Sequence, residues 1–323
     1  MRSSSKRPEF QGFSEYYDSE IAPYLSARET ERKSAVKKML TAISIGVAAA
    51  LTFAILFPKA VFLLHLVIVS LILSFVIGLS FISRTRENIS EGLFTRISSY
   101  FEFSYKPKIL RPSFIRTFQR LNLVGIYNEE KWEDEIKGRR NELDFTLCEA
   151  HLEKVTGSGK EKRKRTVFRG QLLVIEYPKK FLGETVVLRD QGIANRFSKP
   201  GKYFQNIGIA SPRFEKIFEA WSTDQVEARD ILDPVVLERF AELDRLFDGA
   251  RIRAAFSDNH VYIALSNGDK INMGSMFKPL DGPDRVDKIM HEFELIFDLI
   301  DVLVKQLDGR TGGAFSVDDV RSG

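Results

Sequence analysis

The chain has 323 residues, is 44% hydrophobic and 28% charged, and sets 48 Lys and Arg against 44 Asp and Glu, for a net charge of +4 and a mean hydropathy of −0.16. So much apolar mass excludes wholesale disorder, and 21 Gly with 11 Pro exclude a collagen-like or low-complexity chain. A single cysteine, Cys148, excludes an internal disulfide framework and a multi-cysteine zinc site, and four histidines leave little room for a histidine-rich metal site.

The averages hide an uneven distribution. Residues 1–38 read as a polar tail, with a short helix expected over 13–25 (FSEYYDSEIAPYL). Two uncharged runs follow, 19 residues over 39–57 and 23 residues over 60–82. At 1.5 Å per residue they span about 28 and 34 Å as helices, against a bilayer hydrocarbon core about 30 Å thick. Neither run carries a polar stripe, and Pro58 with Lys59 divides them. The expectation is a transmembrane helical hairpin over 39–82. Arg28, Arg32, Lys33, Lys37 and Lys38 before it and Arg84, Arg86 and Arg96 after it face only Lys59 between the spans. The positive-inside rule then places both termini in the cytoplasm, as in a multi-pass membrane protein. An apolar stretch that starts after 38 polar residues and leads into a second span argues against a cleavable leader. His65, within the second span, reads as a neutral imidazole near the outer interface rather than a functional group.

Residues 83–142 are expected to form a basic helical connector, with an amphipathic helix over 89–103 and a second over 112–121. Residues 1–126 hold 17 positive and 9 negative groups, leaving 31 and 35 for the rest, so the membrane-proximal part is +8 and the remainder −4. That polarity suits a tether beside an anionic leaflet and argues against nucleic acid as the partner.

From Leu143 the apolar period changes to two, and residues 143–308 read as an α+β cytoplasmic domain with a mainly antiparallel sheet. Leu143, Phe145 and Leu147 alternate with polar residues, and the phase then slips to Cys148, Ala150 and Leu152, which predicts a bulge near Cys148 or two strands. Further strands are expected over 166–177, with Gly170 as a bulge, and over 184–188, 250–256 and 260–265, with turns at Asp248-Gly249, Asp258-Asn259 and Asn267-Gly268. Ser222 and Gln225 have capping-box spacing, Asp233-Pro234 reads as N-cap and first helical residue, and residues 284–307 keep a 3–4 apolar spacing throughout. Residues 309–323 read as a loose tail.

The candidate contact site is the basic loop Lys160, Lys162, Arg163, Lys164 and Arg165, suited to anionic lipid or to an acidic partner. Glu149 with His151, and Asp258 with His260, have the chemistry for acid–base work, but no GxSxG, HExxH, phosphate-loop or dinucleotide motif accompanies them. Trp132 and Trp221 read as packing anchors, His291 as a helix-flank residue, and Cys148 as a buried, inert thiol. The sequence indicates no cofactor and no metal.

Several segments, in order, resemble the bacterial membrane-anchored family of the domain of unknown function 3137. They are the apolar hairpin, WEDEIKG, FTLCEAHLEKV, VFRGQLLVIEYPKKFLGETVVL, FEKIFEAWSTDQVEARDILDPVVLERFAEL and IRAAFSDNHVYIAL. The resemblance covers residues 83–307 and the hairpin, implies a membrane-anchored bacterial protein, and brings no catalytic residues with it. The functional expectation is an inner-membrane protein with a cytoplasmic binding or scaffolding domain, contacting the bilayer and a protein partner not specified by the sequence. The alternatives are a membrane-bound enzyme and a structural subunit of a membrane complex.

Overall fold

The computed structural model describes residues 8–56, 64–178, 180–189, 200–208, 211–246, 251–268 and 271–311. The Pro58-Lys59 break, the Asp248-Gly249 turn and most of the expected tail lie outside these residues. The fold is α+β, with two long apolar helices ahead of an antiparallel sheet and its helices. The chain divides into two compact units, one of Met1–Glu102 with Asn272–Met290 and one of Phe103–Ile271 with His291–Gly323.

In the first unit, a short helix α1 (Phe13–Tyr16) and a π-helical turn (Tyr17–Ile21) lead without a break into α2 (Ala22–Leu56). The partner helix is α3 (Leu64–Tyr100). At 35 and 37 residues these helices are roughly 52 and 56 Å long. Each therefore contains the described part of one apolar run and continues well past it on the charged side. The segments expected as separate short helices, 13–25 and 89–103, are the charged ends of these two rods. Where the rods are apolar, small residues set their separation. A Cβ on Gly46 would meet Ser74 Oγ at 2.1 Å, and one on Gly78 would meet the Met39 carbonyl at 3.2 Å. Ser70, Ser74 and Gly78 fall four apart, the spacing that lets helix backbones approach closely in lipid. The hydroxyls of Ser70 and Ser74 donate to their own helix, to Val67 and Leu71 carbonyls at 2.8 and 2.9 Å, so neither is left unpaired. Beyond the apolar runs, the pairing becomes aromatic. Tyr16 donates to the Arg96 carbonyl at 3.0 Å, Tyr100 donates to the Gln11 carbonyl at 2.7 Å, and Phe13 meets Tyr100 edge-on with centroids 5.0 Å apart. The Arg96 guanidinium lies 4.0 Å from the Tyr24 ring centre.

The second unit is built on a nine-stranded antiparallel sheet in the order β1-β2-β3-β4-β9-β8-β5-β7-β6. Its strands are β1 (Ser104–Lys108), β2 (Glu129–Arg140), β3 (Leu143–Thr156), β4 (Arg163–Glu176), β5 (Thr185–Arg189), β6 (Gln205–Asn206), β7 (Phe218–Ser222), β8 (Arg251–Ser257) and β9 (His260–Ser266). One face packs under α4 (Ile115–Arg120) and the chain beside it, with Phe118, Leu121 and Leu123 set on Trp132, Cys148, Ala150, Leu172 and Tyr262. The opposite face is covered towards β7 by α5 (Pro212–Glu215) and α7 (Pro234–Leu246), whose Phe214 and Phe240 meet Phe218. Towards β2 and β3 it is covered by α8 (Pro283–Thr311). There Phe103 lies edge-on to both Phe145 and Phe297, and Arg140 Nε donates to Asp301 at 2.6 Å. The sheet's outer strands are poor templates for further pairing: β1 carries Pro107 between two lysines, and β6 has two residues.

Several elements differ from expectation for identifiable reasons. Two strands, β1 and β2, occupy the stretch read as a helical connector. In β2 the alternation is broken by Asp134, whose φ of 52° bulges the strand between Glu133 and Ile136, so Trp132 and Ile136 do not share a phase. The slip after Leu147 is not a bulge at Cys148. A single strand, β3, has both faces covered, with Phe145 and Leu147 on one and Cys148, Ala150 and Leu152 on the other. The register shifts further along, between Leu152 and Glu153. Gly170 pairs in register with Ala150; its need for glycine is a close approach, since a Cβ there would lie 2.0 Å from the Leu265 carbonyl. The short helix α6 (Gln225–Ile231) is capped by Asp224, which accepts from Val226 and Glu227 amides at 3.0 and 3.1 Å, and not by Ser222. Asp233 does cap α7, accepting from the Val236 amide at 2.8 Å.

Phe118 has no exposed surface and meets Tyr262 edge-on at 5.5 Å. Phe118→Ala should therefore cost about 3–5 kcal/mol in thermal unfolding of the full chain. Leu110→Ser, at a side chain 92% exposed, should cost little; equal losses would contradict this packing.

Candidate functional site

The tip of the β3–β4 hairpin carries the basic loop. β2 ends at the pair Glu129 with Glu153, and beyond it β3 and β4 run on as a two-stranded ribbon. Gly157, at φ +79°, allows the turn, since a Cβ there would meet the Glu161 carbonyl at 2.5 Å. Residues paired across an antiparallel ladder share a face. Lys154 pairs with Arg165 and Thr156 with Arg163, so these three cations project on one side. Lys162 and Lys164 project on the other, where they meet acids. Lys162 Nζ lies 3.3 Å from Glu129, and Lys164 contacts Glu129 and lies 3.6 Å from Glu153.

The five-residue loop is thus split electrostatically. The Lys164 and Lys162 ammonium groups hold the Glu129 carboxyl below the usual carboxylate range, and Glu129 raises the Lys164 amine above its ordinary value. Arg163 and Arg165 are exposed, and among the described residues neither has an ion-pair partner. The side chain of Lys160 lies outside the described ones. What the ribbon presents is therefore a small cationic face of Lys154, Arg163 and Arg165, backed by a neutralised one.

The two acid–histidine pairs do not form a shared site. Glu149 is buried and accepts the Ile271 amide at 2.8 Å, which ties the chain leaving β9 back to β3. His151 Nε2 lies 3.3 Å from Thr166 Oγ1 and 3.9 Å from Glu153, within the ion-pair lattice of the strands. Asp258 is the left-handed residue of the β8–β9 turn, at φ 53°. Its carbonyl accepts the Phe181 amide at 2.6 Å, and its carboxylate lies 3.5 Å from Lys180. His260 lies against Tyr262. Two described cavities are lined by residues of the N-terminal helices and by no member of either pair. Among the described residues, no group of three or more His, Cys, Asp or Glu could hold a metal ion. Trp132 is buried and Trp221 half-buried in the sheet core, and His291 lies on an exposed flank 3.5 Å from Glu294. Burial, with Glu135 and Glu149 nearby, pushes the Cys148 thiol far above its ordinary value, so it stays protonated and inert.

A second cluster, in the first unit, escaped sequence reading. Arg32 is 7% exposed and Arg285 8%. Arg32 holds Glu29 through two bonds of 2.9 and 2.6 Å and donates to the Met276 carbonyl at 2.7 Å. Glu29 accepts the Leu280 amide at 3.1 Å. Arg285 donates to the carbonyls of Met273, Ser275 (2.9 Å) and Pro279 (3.1 Å). Bonding to Glu29 raises the Arg32 guanidinium, whereas burial lowers that of Arg285. Together they clasp segment 272–282 against α2. Within the run ERKSAVKK nothing sets Arg32 apart from its neighbours.

The family model described as protein of unknown function (DUF3137) matches residues 166–305, in agreement with the resemblance read from the sequence. No curated protein matches. Among solved structures, the chain is similar to that described as the crystal structure of the mycobacterial trehalose monomycolate transport factor A, TtfA, with a TM-score of 0.36 and 10% identity over 64% of this chain and 92% of that one. At that score the likeness carries no argument about function.

The tip pairing has a definite pH window. Glu129, with a depressed value, stabilises the folded tip above the ordinary carboxylate range and loses that contribution as pH falls through its folded value. Lys164, with a raised value, contributes up to the ordinary lysine value and loses it as pH rises through its folded value. In an NMR titration, Glu129 should ionise below an ordinary glutamate and move back towards it in Lys164→Gln; an unchanged midpoint in that variant would show that the contact does not hold the charge.

Proposed function

We propose that this protein is anchored in a bacterial inner membrane by the α2–α3 hairpin and acts by binding, its sheet domain presenting a cationic tip in the cytoplasm to an anionic lipid surface. One observation supports the anchor above all. Of 21 large hydrophobic side chains exposed among the described residues, 15 lie between Leu40 and Leu79. Burying such a band in water-excluded surroundings is strongly favourable, and the α2–α3 contact leaves it uncovered. Both helices are long and apolar enough to cross a membrane. Flanking Lys and Arg favour cytoplasmic termini. Binding rather than catalysis is favoured because each acid–histidine pair is engaged in local structure and Cys148 is buried. Arg163 and Arg165 supply charge at the tip, worth about 1 kcal/mol per residue near an anionic surface.

The topology predicts that a fluorescent reporter maturing only in the cytoplasm is active when fused after Gly323, and that a phosphatase active only outside the cytoplasm works when inserted at Lys59; the reverse pattern would refute the orientation. For the tip, full-length protein in neutral nanodiscs should capture added phosphatidylglycerol vesicles but not phosphatidylcholine vesicles. Arg163→Glu with Arg165→Glu should abolish capture, on the order of tenfold or more. Capture that ignores vesicle charge, or survives the reversal, would remove the lipid role of the tip.

A further inference from the structure

The first unit contains an arrangement that the cationic tip does not account for. An open groove of about 540 Å³ runs along α2 from Arg32 to Ala48. Its chemistry changes along its length. Arg32, Lys33 and Lys37 line one end, and Leu40, Ile45 and Ala48 line the rest. The change falls where the uncharged run begins, at Met39. Arg32 is consumed by Glu29 and the Met276 carbonyl. Lys33 is left with a 3.8 Å contact to a Glu29 already held by Arg32 and the Leu280 amide. Lys37 is exposed, and among the described residues it has no ion-pair partner. At the charged end of an apolar groove there remain Lys37 and a Lys33 whose ion pair is the long contact to a shared Glu29.

The clasped segment borders that end. Arg86, four residues past the second apolar run, bonds Asn272, and Arg32, seven residues before the first, bonds Met276. At 1.5 Å per residue these levels lie roughly 6 and 10 Å outside the apolar band, which is headgroup depth. Met276 is buried, but the next residue, Phe277, is 63% exposed and is followed by exposed Lys278. Phe277 is one of only six large hydrophobics among the described residues that are exposed outside the 40–79 band. An exposed aromatic next to a lysine at this depth suits the membrane interface.

We propose that the groove is a binding site for one anionic phospholipid, with its phosphate held by Lys33 and Lys37, its acyl chain along Leu40, Ile45 and Ala48, and Phe277 seated in the interface beside it. The proposal rests on the reading that α2 crosses the bilayer. It adds a selective site for a lipid in the same membrane, formed by residues distinct from the tip.

The test uses the full chain reconstituted in equal phosphatidylcholine and phosphatidylglycerol, then extracted in detergent, washed, and analysed for retained lipid by mass spectrometry. Phosphatidylglycerol should be retained over phosphatidylcholine. Lys33→Gln with Lys37→Gln should lower its retention on the order of tenfold, while Lys202→Gln with Arg229→Gln, at exposed cations outside both proposed sites, leaves it unchanged. Equal retention of both lipids by the native chain, or full retention by the lysine variant, overturns the site. A second readout depends on no lysine change. Because Cys148 is buried, F277C can be labelled selectively, and the probe should be quenched by headgroup spin-labelled lipid; an unquenched probe overturns the placement of Phe277. Alkaline carbonate separates the two levels of the argument. A chain that carbonate extracts from membranes defeats the bilayer reading and this site together, whereas a chain that stays in the pellet but shows no headgroup preference defeats only the site.

Discussion

The close approach of α2 and α3 is the constraint on which the first unit depends. It is enforced at three glycines along the pair. Gly46 faces Ser74, Gly78 faces Met39, and Gly92 receives the Tyr24 hydroxyl, where a Cβ would lie 2.1 Å away. The first two lie among apolar residues and the third among charged ones. One packing mode therefore runs from the uncharged runs into the polar ends, although the chemistry of the exposed surface changes completely. In the proposed bilayer setting there is no hydrophobic drive to bring helices together, and small residues with satisfied hydroxyls would do so by contact alone. In water, the aromatic cluster of Phe10, Phe13, Tyr16, Tyr100 and Phe101 does it by burial. Neither helix is interrupted by proline in its described interior after Pro23.

That rod leaves polar groups to be satisfied where it emerges from its apolar band. Arg32 is on the buried side of α2, and an unpaired buried cation is costly. Glu29 and the Met276 carbonyl compensate it, and Arg285 in turn gathers the carbonyls of the same segment. Segment 272–282 has no regular secondary structure of its own, so its backbone groups need such partners. The two arginines and Glu29 meet that need, and this is why a piece of chain from far along the sequence belongs to the first unit.

Legibility from sequence followed the strength of periodicity. The two apolar runs, the 284–307 pattern and the β8–β9 hairpin were readable, because one physical signal dominated each. β2 was not. In EEKWEDEIKGRR only Trp132 and Ile136 are apolar and buried, and the bulge at Asp134 removes the alternation that would have marked a strand. β3 was readable as strand but not as one strand, since coverage of both faces mimics a phase slip. Among candidate groups, Cys148 was readable as core from the phase it shares with Ala150 and Leu152, and the tryptophans as packing anchors from residue type alone. The division of the basic loop was not, because it is set by Glu129 and Glu153, which reach Lys162 and Lys164 only through strand register. The clasp depends on contacts between positions about 250 residues apart, such as Glu29 with Leu280, and no local pattern encodes them.

That register has a consequence for specificity. A tip with five free cations would attract any polyanion, nucleic acid included, with an affinity set mainly by charge count. Pairing Lys162 and Lys164 with Glu129 and Glu153 lowers that count and leaves Lys154, Arg163 and Arg165 on one side of a narrow ribbon. A flat anionic surface can meet one side of a ribbon completely, whereas a polyanion that wraps gains nothing from the neutralised side. The acids of β2 and β3 thus act on the tip by subtraction. Under the proposed lipid-binding role of the tip, that subtraction would favour a planar partner over a flexible one.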